Sequence, residues 1–201
     1  RCQIAEMFDV WGPECVAFTS NDTEALNIAL QGTLHPEEGT IHAICTEMDH
    51  NSVLRPLYRL EKKGMELTIL PADRKGRISL TELEAAIRPE TKVIVCTHAS
   101  NLTGNLNDIH AIGAIAQKHQ KLFIVDAAQT AGVFPISMKK DHIDILCFSG
   151  HKGLMGPQGT GAICVRPGVS VEPLKVGGSG VLTFQREHPQ DMPETLEAGT
   201  L

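Results

Sequence analysis

The sequence predicts an α/β domain, in which one sheet carries helices on both of its faces. Short runs rich in Ile, Val and Leu alternate along the chain with segments whose apolar residues recur at helical spacing. No internal repeat or low-complexity segment interrupts this alternation. With 201 residues, 42% of them hydrophobic and 21% charged, the chain is long enough for one domain with a substantial core.

Strands are predicted where short apolar runs stand between turn-forming residues. In chain order they fall at 14–18, 41–45, 67–70, 92–97, 122–125, 143–148 and 161–165. The last run follows a tight glycine turn, which favours an antiparallel orientation for that strand.

Helices are predicted between these strands, each beginning at a side chain that can accept hydrogen bonds from the first turn. The capping residues are Asn21, Ser52, Ser79 and Asp108, and a further helix ends near Phe8. The helices after Asn21 and Ser52 are expected to run to about residues 31 and 63. Glu24, three residues after Asn21, completes a capping-box pattern.

Two of the predicted strands, 122–125 and 143–148, end in side chains that can do chemistry. In order, these are Asp126, Gln129, Ser149, His151 and Lys152. If the two strands are neighbours, an acid and an amine meet at one edge of the sheet. Open α/β sheets bind their ligands at that carboxyl edge.

An amine and a carboxylate at one edge suit the chemistry of pyridoxal phosphate. A lysine that loses its proton can form a Schiff base with an aldehyde. A carboxylate facing a pyridine nitrogen keeps that nitrogen protonated, so that the ring accepts electrons. Lys152 and Asp126 would take these roles. Taken singly, an Asp in a turn and a solvated lysine explain the same residues, and the pattern alone leaves that alternative open.

The helix that begins after Asn21 follows directly on the first strand. Its free N–H groups and its dipole would form an anion site. An ordinary capped helix without a ligand explains the same residues. His50 stands in a similar position before the next helix. The usual histidine pKa of about 6.5 suits proton transfer, but a surface or capping histidine explains the same residue.

Composition argues against several other classes. The net charge is −6, so no basic face for nucleic acid is expected. No apolar run approaches the roughly 20 residues of a membrane span. Six cysteines stand at 2, 15, 45, 96, 147 and 164, with no CxxC pair, which argues against a zinc or redox motif. Reduced thiols indicate a cytoplasmic protein.

Five motifs together resemble the class V aminotransferases, and within them the cysteine desulfurases. They are DHNS (49–52), SNLTG (100–104), VDAAQTAG (125–132), SGHKGLMGPQGTGAI (149–163) and LEAGTL (196–201). The resemblance implies the large domain of a fold-type I pyridoxal phosphate enzyme, with a mostly parallel seven-stranded sheet. Residues 1–201 would be this domain alone, because family members are about twice as long and carry an N-terminal segment and a C-terminal small domain.

The resemblance also implies a role for each site residue. Lys152 would hold the cofactor and act as base, Asp126 would face the ring nitrogen, and His50 would stack on the ring and move protons. Burial is expected to lower the pKa of Lys152. The remaining cofactor contacts would be made by Asp22, Thr23, Asn101, Gln129, Ser149, His151 and, from a partner subunit, Thr200.

Asp22 departs from the family, which usually has a small residue there. A carboxylate beside a phosphate is repulsive, so Asp22 is expected to turn away or to weaken cofactor binding.

The implied activity is conversion of L-cysteine to L-alanine with transfer of the sulfur. A homodimer and a sulfur-acceptor protein are the implied partners. The nucleophilic cysteine and the arginine that binds the substrate carboxylate are expected outside this chain. Selenocysteine lyase or aminotransferase activity, or a catalytically incomplete fragment that only binds cofactor or dimerises, are the alternatives.

Overall fold

The computed structural model describes residues 1–199, in which seven strands form one sheet. The strands are β1 (Val16–Thr19), β2 (His42–Thr46), β3 (Glu66–Leu70), β4 (Thr91–Thr97), β5 (Leu122–Asp126), β6 (Ile145–Ser149) and β7 (Gly161–Val165). Their order across the sheet is β1-β7-β6-β5-β4-β2-β3. The strands from β2 to β6 pair in parallel, and β7 is antiparallel to both β1 and β6. The predicted mostly parallel seven-stranded sheet and its antiparallel last strand are confirmed.

Within residues 1–199, four α-helices connect successive strands and a fifth precedes β1. They are α1 (Cys2–Met7), α2 (Asp22–Gln31), α3 (Asn51–Glu61), α4 (Leu80–Ala86) and α5 (Ile109–Lys118). Three of the predicted caps are present, because Asn21, Ser79 and Asp108 each accept a backbone N–H from the third residue after them. The second bond of the Asn21 capping box differs from the expected one. The Glu24 carboxylate accepts from the Ser20 N–H, at 2.7 Å.

The cap of α3 was predicted wrongly. His50 caps this helix, and the N–H of Ser52 donates to His50 Nδ1 at 3.2 Å. The chain leaves β2 through a tight turn, so the helix begins one residue before Ser52. The helix also ends at Glu61 rather than at residue 63.

The sheet is covered on both faces, as predicted. Phe123 and Val125 of β5 pack in the layer that holds α5, whereas Ile124 between them packs against α2 and α3. Leu146 and Cys147 of β6 divide between the two layers in the same way. Because both faces are buried, the strands are almost continuously apolar, which is the usual composition of parallel sheets.

Candidate active site

A cavity of about 190 Å³ lies at the carboxyl ends of the parallel strands. Nine of the ten predicted site residues line it, namely Asp22, Thr23, His50, Asn101, Asp126, Gln129, Ser149, His151 and Lys152. Thr200 lies outside the described residues. The sheet order explains this convergence, because β5 lies between β4 and β6 and the loops after these strands open at one edge.

Asp126 is the last residue of β5 and stands at the base of the cavity. Its side chain is buried, and its Oδ1 accepts the N–H of Ala128 at 2.9 Å. Burial raises the pKa of the Asp126 carboxyl, while the Ala128 N–H, Lys152 and His50 act in the opposite direction. A positive group that enters the cavity would therefore favour the ionised form of the Asp126 carboxyl.

Lys152 reaches the same cavity from the turn that follows β6. That turn packs on the turn after β5 through glycines, since a Cβ atom on Gly153 would stand 2.5 Å from the Ala131 carbonyl oxygen. Gly132 supports the same contact and has a φ of +80°, which favours glycine. This contact fixes the position of Lys152 relative to Asp126.

The expected burial of Lys152 is not observed. The side chain is exposed, because the turn that carries it forms the rim of the cavity.

The end of the cavity that could receive an anion lies where α2 begins. The N–H of Asp22 donates to Ser149 Oγ at 3.2 Å, which joins the start of α2 to the end of β6. Gly161, at the start of β7, permits this approach, since a Cβ atom there would lie 2.7 Å from the Asn21 carbonyl carbon. The N-terminus of a ten-residue helix therefore points into the cavity, and its N–H groups and dipole attract an anion.

Asp22 does not turn away from the site. Its side chain is buried among the cavity residues, and within residues 1–199 its Oδ1 has no hydrogen-bond partner. Burial and the nearby Asp126 raise the pKa of the Asp22 carboxyl well above its usual value, and Lys152 opposes them. Sequence reasoning did not find this placement, because the direction of the first side chain of a helix depends on the strands packed beneath it.

Ser52 is a site residue that sequence reasoning missed. Its Oγ lies 2.7 Å from His50 Nδ1 and 3.1 Å from Thr23 Oγ1, so it connects the imidazole to the start of α2. The DHNS motif contains Ser52, but its hydroxyl resembles an ordinary helix cap in the sequence.

Asp49 is a second missed residue, and it holds the ends of β2 and β4 together. Its buried carboxyl accepts hydrogen bonds from Thr46 N at 2.6 Å, from Thr46 Oγ1 at 2.9 Å, and from the N–H of Thr97. Burial raises the pKa of Asp49 to about 7. Because His50 is the next residue, this anchor also positions the imidazole.

His98 directly follows β4 and belongs to the core. It is buried outside the cavity lining, with its Nδ1 2.9 Å from Thr130 Oγ1. Burial lowers the pKa of His98, with a small opposing effect from Asp141.

A model of the family described as "Aminotransferase class-V" matches residues 1–201, and the chain belongs to this family. The "Putative cysteine desulfurase IscS 1" of Bacillus subtilis (strain 168) is 37% identical over 179 residues, which are 89% of this chain and 47% of that protein. These matches confirm the predicted family.

Solved structures agree with the fold. The apo structure of a cysteine desulfurase from Thermococcus onnurineus NA1 has a TM-score of 0.87 at 33% identity, covering 98% of this chain and 50% of that one. The structure of SspA in complex with cysteine has a TM-score of 0.84 at 32% identity, covering 96% and 55%. The chain spans about half the length of these relatives.

Residues 1–199 contain neither a membrane-spanning helix nor a cluster of metal-binding side chains. The described chain contains no helix that is both long enough and apolar enough to cross a membrane. Nor do His, Cys, Asp and Glu residues in this range form a group of three or more that could hold a metal ion.

Proposed function

We propose that the cavity binds pyridoxal 5′-phosphate and that the protein acts as a cysteine desulfurase, converting L-cysteine to L-alanine with transfer of the sulfur. One observation carries this proposal. A buried carboxyl, an amine and a helix N-terminus, supplied by Asp126, Lys152 and α2, converge on one cavity at the carboxyl edge of the sheet. The family and the desulfurase relatives support it.

The residues present fit this cofactor. Asp126 would hold the ring nitrogen, Gln129 the ring oxygen, and Lys152 the aldehyde carbon. The phosphate would be held by the N-terminus of α2, Thr23, Ser149 and His151. When bound, the cofactor supplies an electron sink for the bond-breaking step at the substrate α-carbon.

The protein's own side chains would hold and transfer the protons of the reaction. Asp126 would keep a proton on the ring nitrogen, because the resulting cation offsets the burial of its carboxyl. The Nζ atom of Lys152 would take the substrate α-proton as general base. His50, oriented through Ser52, would form a wall of the cavity and move a proton at the ring face.

We propose cysteine as the substrate because the matched relatives are named cysteine desulfurases and the SspA structure is a complex with cysteine. Asn101, at the cavity rim, would help to hold the substrate carboxylate. Four buried cysteines of this chain do not suit the role of sulfur-accepting nucleophile, because burial raises the thiol pKa of Cys45, Cys96, Cys147 and Cys164.

We also propose that residues 1–201 supply the cofactor-binding large domain of this enzyme, with the nucleophilic cysteine and the carboxylate-binding arginine in other segments. Matched relatives of about twice this length support this arrangement.

A homodimer, in which Thr200 reaches the partner's phosphate, belongs to the same proposal. Leu102 and Met155 support it, because these apolar side chains are 87% and 89% exposed on the loops that carry Asn101 and Lys152. Sedimentation of the purified protein tests the dimer. We also propose that the protein is located in the cytoplasm and that a sulfur-acceptor protein is one of its partners.

Product analysis tests the activity. The protein expressed from its complete gene is incubated with L-cysteine and excess dithiothreitol, which reduces the transferred sulfur to sulfide, and alanine, sulfide and keto acids are measured, with Asp126→Ala as the control. Stoichiometric alanine and sulfide from the wild type supports desulfuration. Keto acid formation without alanine would indicate an aminotransferase, and release of selenium from selenocysteine alone would indicate a lyase.

A further inference from the structure

Asp22 is the one described side chain whose buried oxygen lacks any hydrogen-bond partner. It is the first residue of α2, is only 5% exposed, and lies in the cavity wall where the helix N-terminus would receive an anion. Its own N–H is taken by Ser149 Oγ at 3.2 Å. A carboxyl is therefore built into the anion end of the site, and the protein alone does not complete its hydrogen bonding.

The charge of this carboxyl decides what the site can bind. An ionised Asp22 would place a negative charge beside the cofactor phosphate in a partly buried cavity, where repulsion is weakly screened. A protonated Asp22 has one O–H donor, which can be given to a phosphate oxygen. Protonation thus converts a repulsive neighbour into a donor.

We propose that Asp22 makes cofactor loading proton-linked: the phosphate of pyridoxal phosphate binds together with one proton, taken from solvent, that resides on the Asp22 carboxyl. This inference rests on the proposed cofactor. It assigns to Asp22 a positioning and selectivity role, in which the neutral acid favours the phosphate and the ionised acid expels it.

The groups around Asp22 favour uptake of a proton by its carboxyl. Asp126 faces it from the end of β5, and burial together with this second carboxyl raises its pKa, whereas Lys152 from the turn after β6 acts against the rise. The thiol of Cys147 on β6 also lies within the influence of Asp22, and burial raises its pKa, so it brings no charge.

The other charged groups at this end of the cavity are His50, His151 and Glu24. Burial favours the neutral form of Glu24, but hydrogen bonds from Lys175 and Ser20 hold its pKa at about 2, so its charge stays constant above pH 4. The two histidines and the phosphate, whose second pKa is about 6, are the same in every variant, so their contributions to the pH dependence cancel when variants are compared.

The test is a fluorescence titration of the apo protein, expressed from its complete gene, with pyridoxal phosphate between pH 6 and 9. The wild type is compared with Asp22→Asn, which keeps a donor but cannot ionise, and with Asp22→Ala, which has neither property. The dissociation constant is the readout, so no activity is needed. Circular dichroism confirms that each variant is folded, and Asp22→Ala serves as the comparison if Asp22→Asn does not fold.

We expect the wild-type dissociation constant to rise with pH more steeply than that of either variant, by up to tenfold per pH unit. Pyridoxal, which has the same ring and aldehyde without the phosphate, should show no such difference. Parallel pH profiles, or a difference that persists with pyridoxal, would overturn the inference while leaving the proposed function intact. Absence of cofactor binding in all three proteins at every pH would overturn the proposed function and this inference with it.

Discussion

The buried acid at the amino end of the parallel sheet and the buried acids that line the cavity at its carboxyl end differ in how fully they are hydrogen-bonded. At the amino end, Asp144 precedes β6 and is fully engaged, with Oδ1 accepting from Arg166 Nε at 2.5 Å and Oδ2 accepting from Phe123 N at 2.8 Å. At the carboxyl end, Asp126 accepts one protein N–H and Asp22 Oδ1 accepts none among the described residues. Buried polar groups are normally satisfied, so these two acids are the groups that we expect a ligand in the cavity to complete.

His42 is a second buried polar side chain at the amino end whose hydrogen bonds are made within the protein. It begins β2, and its two ring nitrogens lie 2.7 Å from Thr91 Oγ1 and 2.8 Å from Thr68 Oγ1. The difference between the two ends teaches that burial alone does not mark a site. The informative feature is a buried acid whose hydrogen bonds the protein leaves incomplete.

The largest effect is expected for Asp126→Ala. Loss of the carboxyl that would keep the ring nitrogen protonated should lower cysteine turnover at least about 100-fold. The free energy of unfolding of the apo protein should change by less than about 1 kcal/mol, because the carboxyl accepts only the Ala128 N–H and Ala128 lines the cavity, where water can replace the lost acceptor. Turnover assays and urea denaturation measure the two quantities. Wild-type turnover in this variant would contradict the role of Asp126.

His42 should make the amino end sensitive to acid. Burial, and secondarily Arg88, lower the pKa of His42 to about 4 in the folded protein. In the unfolded chain its pKa is about 6.5. Between these values the unfolded state binds more protons, so stability is lost as pH falls from 6.5 to 4, by up to about 3 kcal/mol.

Urea denaturation of the wild type and of His42→Gln at pH 7 and pH 4 checks this expectation. The stability advantage of the wild type should shrink at the lower pH. An advantage of the same size at both pH values would show that His42 is not neutral because of burial.

Asp144→Ala is the counterpart of Asp126→Ala at the opposite end of the sheet. It leaves the Phe123 N–H buried without an acceptor, which should cost about 2 kcal/mol of unfolding free energy. The partly exposed Arg166 can turn to water. Cofactor affinity of the folded protein should stay within about threefold of the wild type. A large loss of affinity with unchanged stability would remove the distinction between the two ends.

A smaller effect is expected at the contact between the two turns. Gly153→Ala would put a Cβ atom against the Ala131 carbonyl oxygen and should cost about 1 kcal/mol. Gly177→Ala is the matched control, because nothing lies within 4 Å of a Cβ there. Thermal unfolding compares the two. Equal melting temperatures would show that the turns are not held by this contact.

The sequence predicted the sheet and most of the site for a simple reason. Fully buried strands appear as apolar runs, and polar groups directly after such runs, such as Asp126 and Ser149, must meet at one edge. The cap of α3, the bridge through Ser52 and the anchor at Asp49 were not predicted. Each depends on which side chains face one another across elements that are distant in sequence.

Asp22 marks the limit of such reasoning. The sequence showed that an acid stands where the family usually has a small residue, and electrostatics led to the expectation that it turns away or weakens binding. The packing of α2 against the ends of β6 and β7 directs it inward instead.

The central claim is that Lys152 and Asp126 face one ligand at the carboxyl edge of the sheet. The most direct test is borohydride reduction of the chain loaded with pyridoxal phosphate, followed by peptide mapping. The label is predicted on Lys152, whereas Lys118 and Lys175 are paired with Glu84 and Glu24, each at 2.6 Å. A label on either of those lysines, or none on Lys152, would contradict the account.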